Sequence, residues 1–161
     1  MKLPMNADER RYTLADAWHL SNRVNLMLLD NLRDEQLAVA HSPRSRNVAD
    51  QFAHLHNVRI MWLETLGPAA VKGLKKIEKG KAAKAALKEA LKASGKVLGD
   101  VIAEAEQAGK MKGYKRGPAA FFGYAMAHEA HHRGQIILHV KYAKLPIDTM
   151  FGYGLWEWGK L

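Results

Sequence analysis

The chain has no cysteine among its 161 residues. That absence excludes a disulfide framework, a thiolate zinc site, an iron–sulfur cluster and a cysteine nucleophile. Any metal must be held by His, Asp or Glu, and any thiol chemistry must take its thiol from outside the chain. Also missing is a run approaching 18 uninterrupted apolar residues, so no membrane span is expected. The opening stretch, Met1 to Arg11, has no apolar segment of the kind a secretory signal carries, and cytoplasm is the expected location. No strand pattern and no internal repeat is legible.

What is present is ordinary for a globular protein: 48% hydrophobic and 25% charged residues. The length fits one domain, expected to span 1–161, with a sizeable core. The formal net charge is +9, but nine Lys against Glu78 and Glu89 between Lys72 and Lys96 carry a local +7 of it. Within that segment Lys84, Lys88, Lys92 and Lys96 recur every four residues. Clustered cations of this kind suit phosphate contacts, yet interleaved aromatics and a recognition-helix turn are missing. A solvated face is the expected role, and nucleic acid is not an expected partner. Such a face would also attract an acidic thiol or substrate. The like charges repel one another, so packing must hold this helix together.

Four helices are predicted, over about residues 13–32, 47–66, 81–107 and 118–142. Thr13 followed by Asp16 reads as a capping box. Leu14, Trp18, Leu20, Val24, Met27, Leu28 and Leu32 then follow at helical spacing. Val48, Phe52, Leu55, Val58, Trp62 and Leu66 form the second helix's inner stripe, which Gly67-Pro68 stops. The third helix is built from strong helix formers with Leu87, Leu91, Leu98, Val101 and Ile102 as its apolar side. Pro118 suits the first turn of the fourth. The segments Arg33–Gln36 and His41–Arg46 read as turn and loop, and residues 147–161 as a short aromatic tail. The expected class is all-α, a four-helix bundle, with room for a crossover between helices two and three. Trp18 and Trp62 are expected in the core, and Trp156 and Trp158 over the open end of the bundle, with the rim of a pocket as the alternative.

Five of the eight His lie in two groups, His54/His56 and His128/His131/His132. At about 100° per residue, Phe121, Ala125, His128, His132, Gln135, His139 and Ala143 share one stripe of the fourth helix. His128 and His132 sit one turn apart and can reach one ion. His139 lies about 10 Å further along, and His131 points away. Imidazole suits Zn, Ni, Cu or Fe(II), although in a chain with eight His such a pair also arises without function. The same residues spell His-Glu-x-x-His, the zincin peptidase pattern. Against it, Gln135 stands where the metzincin continuation requires Gly, and Glu129 with Arg133 four residues on reads as a surface ion pair. A third ligand must come from elsewhere, and helix two offers His54 or His56, which flank the apolar stripe equally, so periodicity does not choose.

The segment His128-Glu-Ala-His-His132-Arg133-Gly134-Gln135-Ile136 resembles the His-x-x-x-His-Arg-Gly-Gln signature of the DinB/YfiT-like metalloenzyme superfamily. Asn47-Val-Ala-Asp-Gln-Phe-Ala-His54-Leu resembles that family's second helix. His19 to Arg23 and Leu32 to Leu37 resemble its first helix and turn. The resemblance implies an up-down-down-up bundle, often dimeric, with a divalent metal on three His near one end. Carried over by position, those ligands are His54, His128 and His132, and zinc or nickel is the expected metal. It further implies a metal-dependent enzyme acting on a small molecule, by transferring a low-molecular-weight thiol to an electrophile or by hydrolysis. Relatives with no assigned reaction, some known only as DNA-damage-inducible, leave the alternative of a non-catalytic metal-binding or protein-interaction bundle in a stress response. Gln135, Asn57 and Tyr124 are candidate partners of the ligands. Gly134, inside a helix, is expected to mark tight packing.

Overall fold

Thr13 starts the first helix as its spacing to Asp16 predicts. Thr13 Oγ1 accepts from the Asp16 N–H at 3.0 Å, and Asp16 Oδ2 accepts from the Thr13 N–H at 3.0 Å. The computed structural model describes residues 12–161. Helix α1 (Leu14–Asn31) is followed by a short α2 (Asp34–Leu37), α3 (Val48–Leu66), α4 (Lys84–Ala108), α5 (Gly117–Tyr142) and α6 (Thr149–Gly154). Asn47 Oδ1 caps α3 by accepting from the Asp50 N–H at 2.7 Å. Gly109, at φ 65°, takes the left-handed conformation that ends α4. Among the described residues there is no strand beyond two isolated bridges, and no helix is long and apolar enough to cross a membrane.

Three details differ from the sequence reading. Helix α4 begins at Lys84, three residues later than expected. The turn after α1 contains α2, because Gln36 Oε1 accepts from the Arg33 N–H at 2.8 Å and closes a helical turn. The aromatic tail contains α6, opened by Asp148 Oδ1 accepting from the Phe151 N–H at 2.9 Å.

The lysines of α4 are not a free cationic face. Lys84 Nζ donates to the carbonyls of Asp30 and Leu32, at 3.0 and 2.7 Å, where α1 leaves its last C=O groups without helical partners. Lys88 pairs with Asp30, Lys92 with Glu89 and Lys96 with Asp100. Opposite charges from α1 and from α4 itself thus offset the repulsion along the stripe.

The core is in two parts. One gathers Leu28, Leu32, Phe52, Leu87, Leu91, Ile136 and Val140, and the other Trp18, Leu63, Leu98, Ile102 and Phe121. Along each long helix a polar residue falls between the two: Asn22 and Asn25 on α1, Arg59 on α3, Ser94 on α4 and Glu129 on α5. These buried residues form one layer. Arg59 Nε and Nη2 donate to the two oxygens of Glu129 at 2.7 and 3.0 Å. Its Nη1 donates to the Leu91 carbonyl and Ser94 Oγ, and Nη2 also to Asn22 Oδ1. All five guanidinium N–H groups are therefore used. Asn25 Nδ2 donates to Glu129 Oε2 at 2.6 Å, and Arg133 Nη1 to Asn25 Oδ1 at 2.9 Å. The guanidinium also lies 5.0 Å from the centroid of the Trp18 ring. Gly95 is required here, since a Cβ on it would collide with the Asn22 amide.

Glu129 thus corrects the surface-pair expectation. It is 2% exposed, and its partner is Arg59 of α3 instead of its i+4 neighbour Arg133. The buried stripe of α5 runs Phe121, Ala125, Glu129, His132, Ile136 and Val140, rotated from the one expected. Replacing Glu129 by Gln leaves Arg59 buried without its counter-charge, at an expected cost of about 3–5 kcal/mol. Urea denaturation of the metal-free protein measures it, and a loss below about 1 kcal/mol would contradict the role given to this pair.

Candidate metal centre

Helices α3 and α5 bring His54, His128 and His132 together. The ring centroids of His132 lie 4.6 Å from those of both His54 and His128, with His54 and His128 5.4 Å apart. One ring nitrogen from each lies within 4.8 Å of the other two. Among the described residues, no other set of His, Asp and Glu converges in this way. The rotation of α5 set by Glu129 turns His128 and His132 toward α3, where His54 stands five residues before Arg59.

Protonation decides whether these rings can act as ligands. Burial is the main cause lowering the pKa of all three. His54 falls to about 4, with Arg46 and then His128 adding to the shift. His132 falls to about 3, helped by the charges that His128 and His54 would carry. His128 is lowered too, though Glu129 beside it opposes the shift. Neutral rings offer lone pairs at pH 7, which a metal requires. Gln51, buried one turn before His54, orients His132: its Oε1 lies 2.6 Å from His132 Nδ1. With Nδ1–H donating there, the Nε2 lone pair is left free.

The remaining histidines are elsewhere. His56, equivalent to His54 by periodicity, is buried against another segment, with Nε2 2.9 Å from the Lys75 carbonyl. His131 Nε2 lies 2.9 Å from Gln135 Nε2, and His139 stacks on His41 with centroids 6.0 Å apart. Of the expected partners, Tyr124 does reach a clustered ring, lying nearly parallel to His128 at 6.2 Å. Asn57 instead exchanges two hydrogen bonds with the backbone of Ile77, and Gln135 serves His131. Gln51 was not foreseen, although its place three residues before His54 puts it on the same side of the helix. Glu129, the would-be base of a zincin, has both oxygens engaged by Arg59, so the peptidase pattern is structural here.

A cleft of about 220 Å³ opens beside His54, lined by Arg46, Asp50, Ala53, Asn57, Ile77 and Lys79. Chemically, the ligand group offers three neutral nitrogen donors, and the cleft beside it carries two cations, Arg46 and Lys79, against one carboxylate, Asp50.

A model of the DinB family matches residues 5–143, so the chain belongs to that family. No curated protein and no solved structure matches it.

The lowered pKa values set a pH dependence. In the folded metal-free protein His54 and His132 stay neutral down to about 4 and about 3, whereas the unfolded chain takes up protons near 6.5. The unfolded state binds more protons in that window, so stability is full above pH 6.5 and is lost as pH falls toward 4. Thermal unfolding of chelator-treated protein from pH 7.5 to 4.5 is expected to show a falling Tm. His54→Ala and His132→Ala should flatten that slope, and an unchanged slope in both variants would contradict the assignment.

Proposed function

We propose that this DinB family member holds one divalent transition-metal ion, zinc or nickel, on His54, His128 and His132. In this reading it is a metal-dependent enzyme acting on a small molecule, joining a low-molecular-weight thiol to an electrophile or hydrolysing the electrophile. The supporting observation is the convergence of three imidazoles, one nitrogen of each within 4.8 Å of the others, whose burial keeps them unprotonated. The donor set fits: nitrogen ligands suit both metals, and three protein ligands leave a position open. A divalent ion held there supplies Lewis acidity, which makes a thiol or water more acidic near neutral pH.

The chain's own residues do the rest. Gln51 fixes the tautomer and tilt of His132. Tyr124 lies nearly parallel to His128 at 6.2 Å and adds an aromatic wall beside it. Arg46 and Lys79 place positive charge around the cleft beside His54, where an anionic reactant would be drawn in. With no cysteine in the chain, a transferred thiol must be diffusible. Around this centre the proposal includes a single DinB-like domain, an up-down-down-up arrangement of α1, α3, α4 and α5, a homodimer and a cytoplasmic location. A non-catalytic metal-binding bundle is the competing reading. It is favoured by the size of the cleft, about 220 Å³ against the roughly 300–1,000 Å³ common for ligand pockets.

Elemental analysis of protein purified without added metal tests the site, and turnover separates the two readings. About one ion per chain is expected, with His54→Ala, His128→Ala and His132→Ala each losing it along with the metal's contribution to Tm. Protein that retains no ion, with three variants unchanged in metal affinity and Tm, would contradict the metal site. Metal-dependent product formation with a panel of thiols and electrophiles is expected of the enzyme. An occupied site without turnover across that panel would favour the non-catalytic reading.

A further inference from the structure

Helix α5 has a second working face. At about 100° per residue, Met126, Arg133, Gly134 and Ile137 point roughly opposite to His128 and His132. There they line a groove of about 530 Å³ closed by Leu155, Trp156 and Trp158. The volume falls in the range of small-molecule pockets. Its walls are apolar, and Trp156 is 82% exposed. Leu155, Trp156 and Trp158 lie beyond the residues 5–143 that the family model matches, so this wall belongs to the chain's own tail.

One charge borders the groove. Arg133 Nη1 is anchored on Ser21 Oγ at 3.1 Å and Asn25 Oδ1 at 2.9 Å. Its Nη2 and Nε have no acceptor among the described residues. With half-buried Arg133 at its edge, the layer holds two guanidiniums, Arg59 and Arg133, but one carboxylate, Glu129, whose oxygens Arg59 engages. The layer therefore carries one uncompensated positive charge, and that charge sits where Arg133 meets the groove. Gly134 opens the space, since a Cβ there would meet nothing within 4 Å. The tight packing expected at Gly134 is absent, and the groove lies there instead.

We propose that the groove binds an amphipathic monocarboxylate, a fatty or aryl-alkyl acid. Its carboxylate lies on the free edge of Arg133 and its tail runs along Ile137, Trp156 and Trp158. A planar guanidinium edge matches a planar carboxylate. A single excess positive charge matches a single negative one, and no second cationic side chain lines the groove to suit a phosphate dianion. Burying the tail against the two indoles adds affinity through apolar area.

Calorimetric titration of the full chain with decanoate and with decanol tests this. Decanoate is expected to bind saturably, one per chain, and decanol, lacking the carboxylate, at least about tenfold more weakly. Gly134→Leu fills the groove from an open helix position and is expected to abolish binding without lowering Tm or metal content. Trp156→Ala, an exposed substitution, is expected to weaken binding at unchanged Tm and serves if Gly134→Leu fails to fold. Absent saturable decanoate binding, equal affinity for decanol, or undiminished binding in both variants would overturn the proposal. So would sedimentation showing a wild-type dimer that Gly134→Leu converts to monomer with no decanoate bound, since a second copy would then be the occupant.

Discussion

The buried pair of Arg59 and Glu129 is the interaction on which the rest of the molecule depends. A buried ion pair is weak as a source of net stability, because desolvating both charges offsets most of their attraction. Its value here is geometric. A guanidinium has five donors in a fixed fork, and each must find an acceptor once water is excluded. Arg59 meets that demand from α1, α4 and α5 at once. Rotating any of these helices by one residue would strand a donor, a charge or both. The layer divides the apolar core in two and fixes how each helix faces it.

The histidine cluster follows from that register. Glu129 is turned inward to Arg59, so His128 on one side of it and His132 three residues later face α3. His54 is presented there from the helix that carries Arg59. Burial then strips the rings of their protons, and Gln51 selects the nitrogen that His132 leaves free. The two faces of α5 share a cause as well. The layer that aims the histidines toward α3 leaves Arg133 anchored by one nitrogen and open on the other side.

Much of this was legible in the sequence. Thr13 with Asp16, Gly67-Pro68 and Pro118 marked helix boundaries by local chemistry that tertiary structure left intact. The four-residue spacing of His128 and His132 placed them together because it is a property of one helix. The choice of His54 over His56 lay outside periodicity, since both flank the stripe, and rested on family resemblance. From sequence pattern alone Glu129 reads as a surface charge, because a charge buried against a partner 70 residues away leaves no local trace. The pairing of Lys84 and Lys88 with the end of α1 was hidden for the same reason. Gly134 and Trp156 show the complementary difficulty: a groove depends on which segment covers a helix face, and neither residue carries that information itself.

The central claim is that His54, His128 and His132 jointly bind one metal ion. X-ray absorption at the zinc edge, on full-length protein loaded with one equivalent, reads the donor set directly. The account predicts three imidazole nitrogens at about 2.0–2.1 Å, a shell that is lost with the bound zinc in His54→Ala. A shell of oxygen donors, or one unchanged by that substitution, would contradict it.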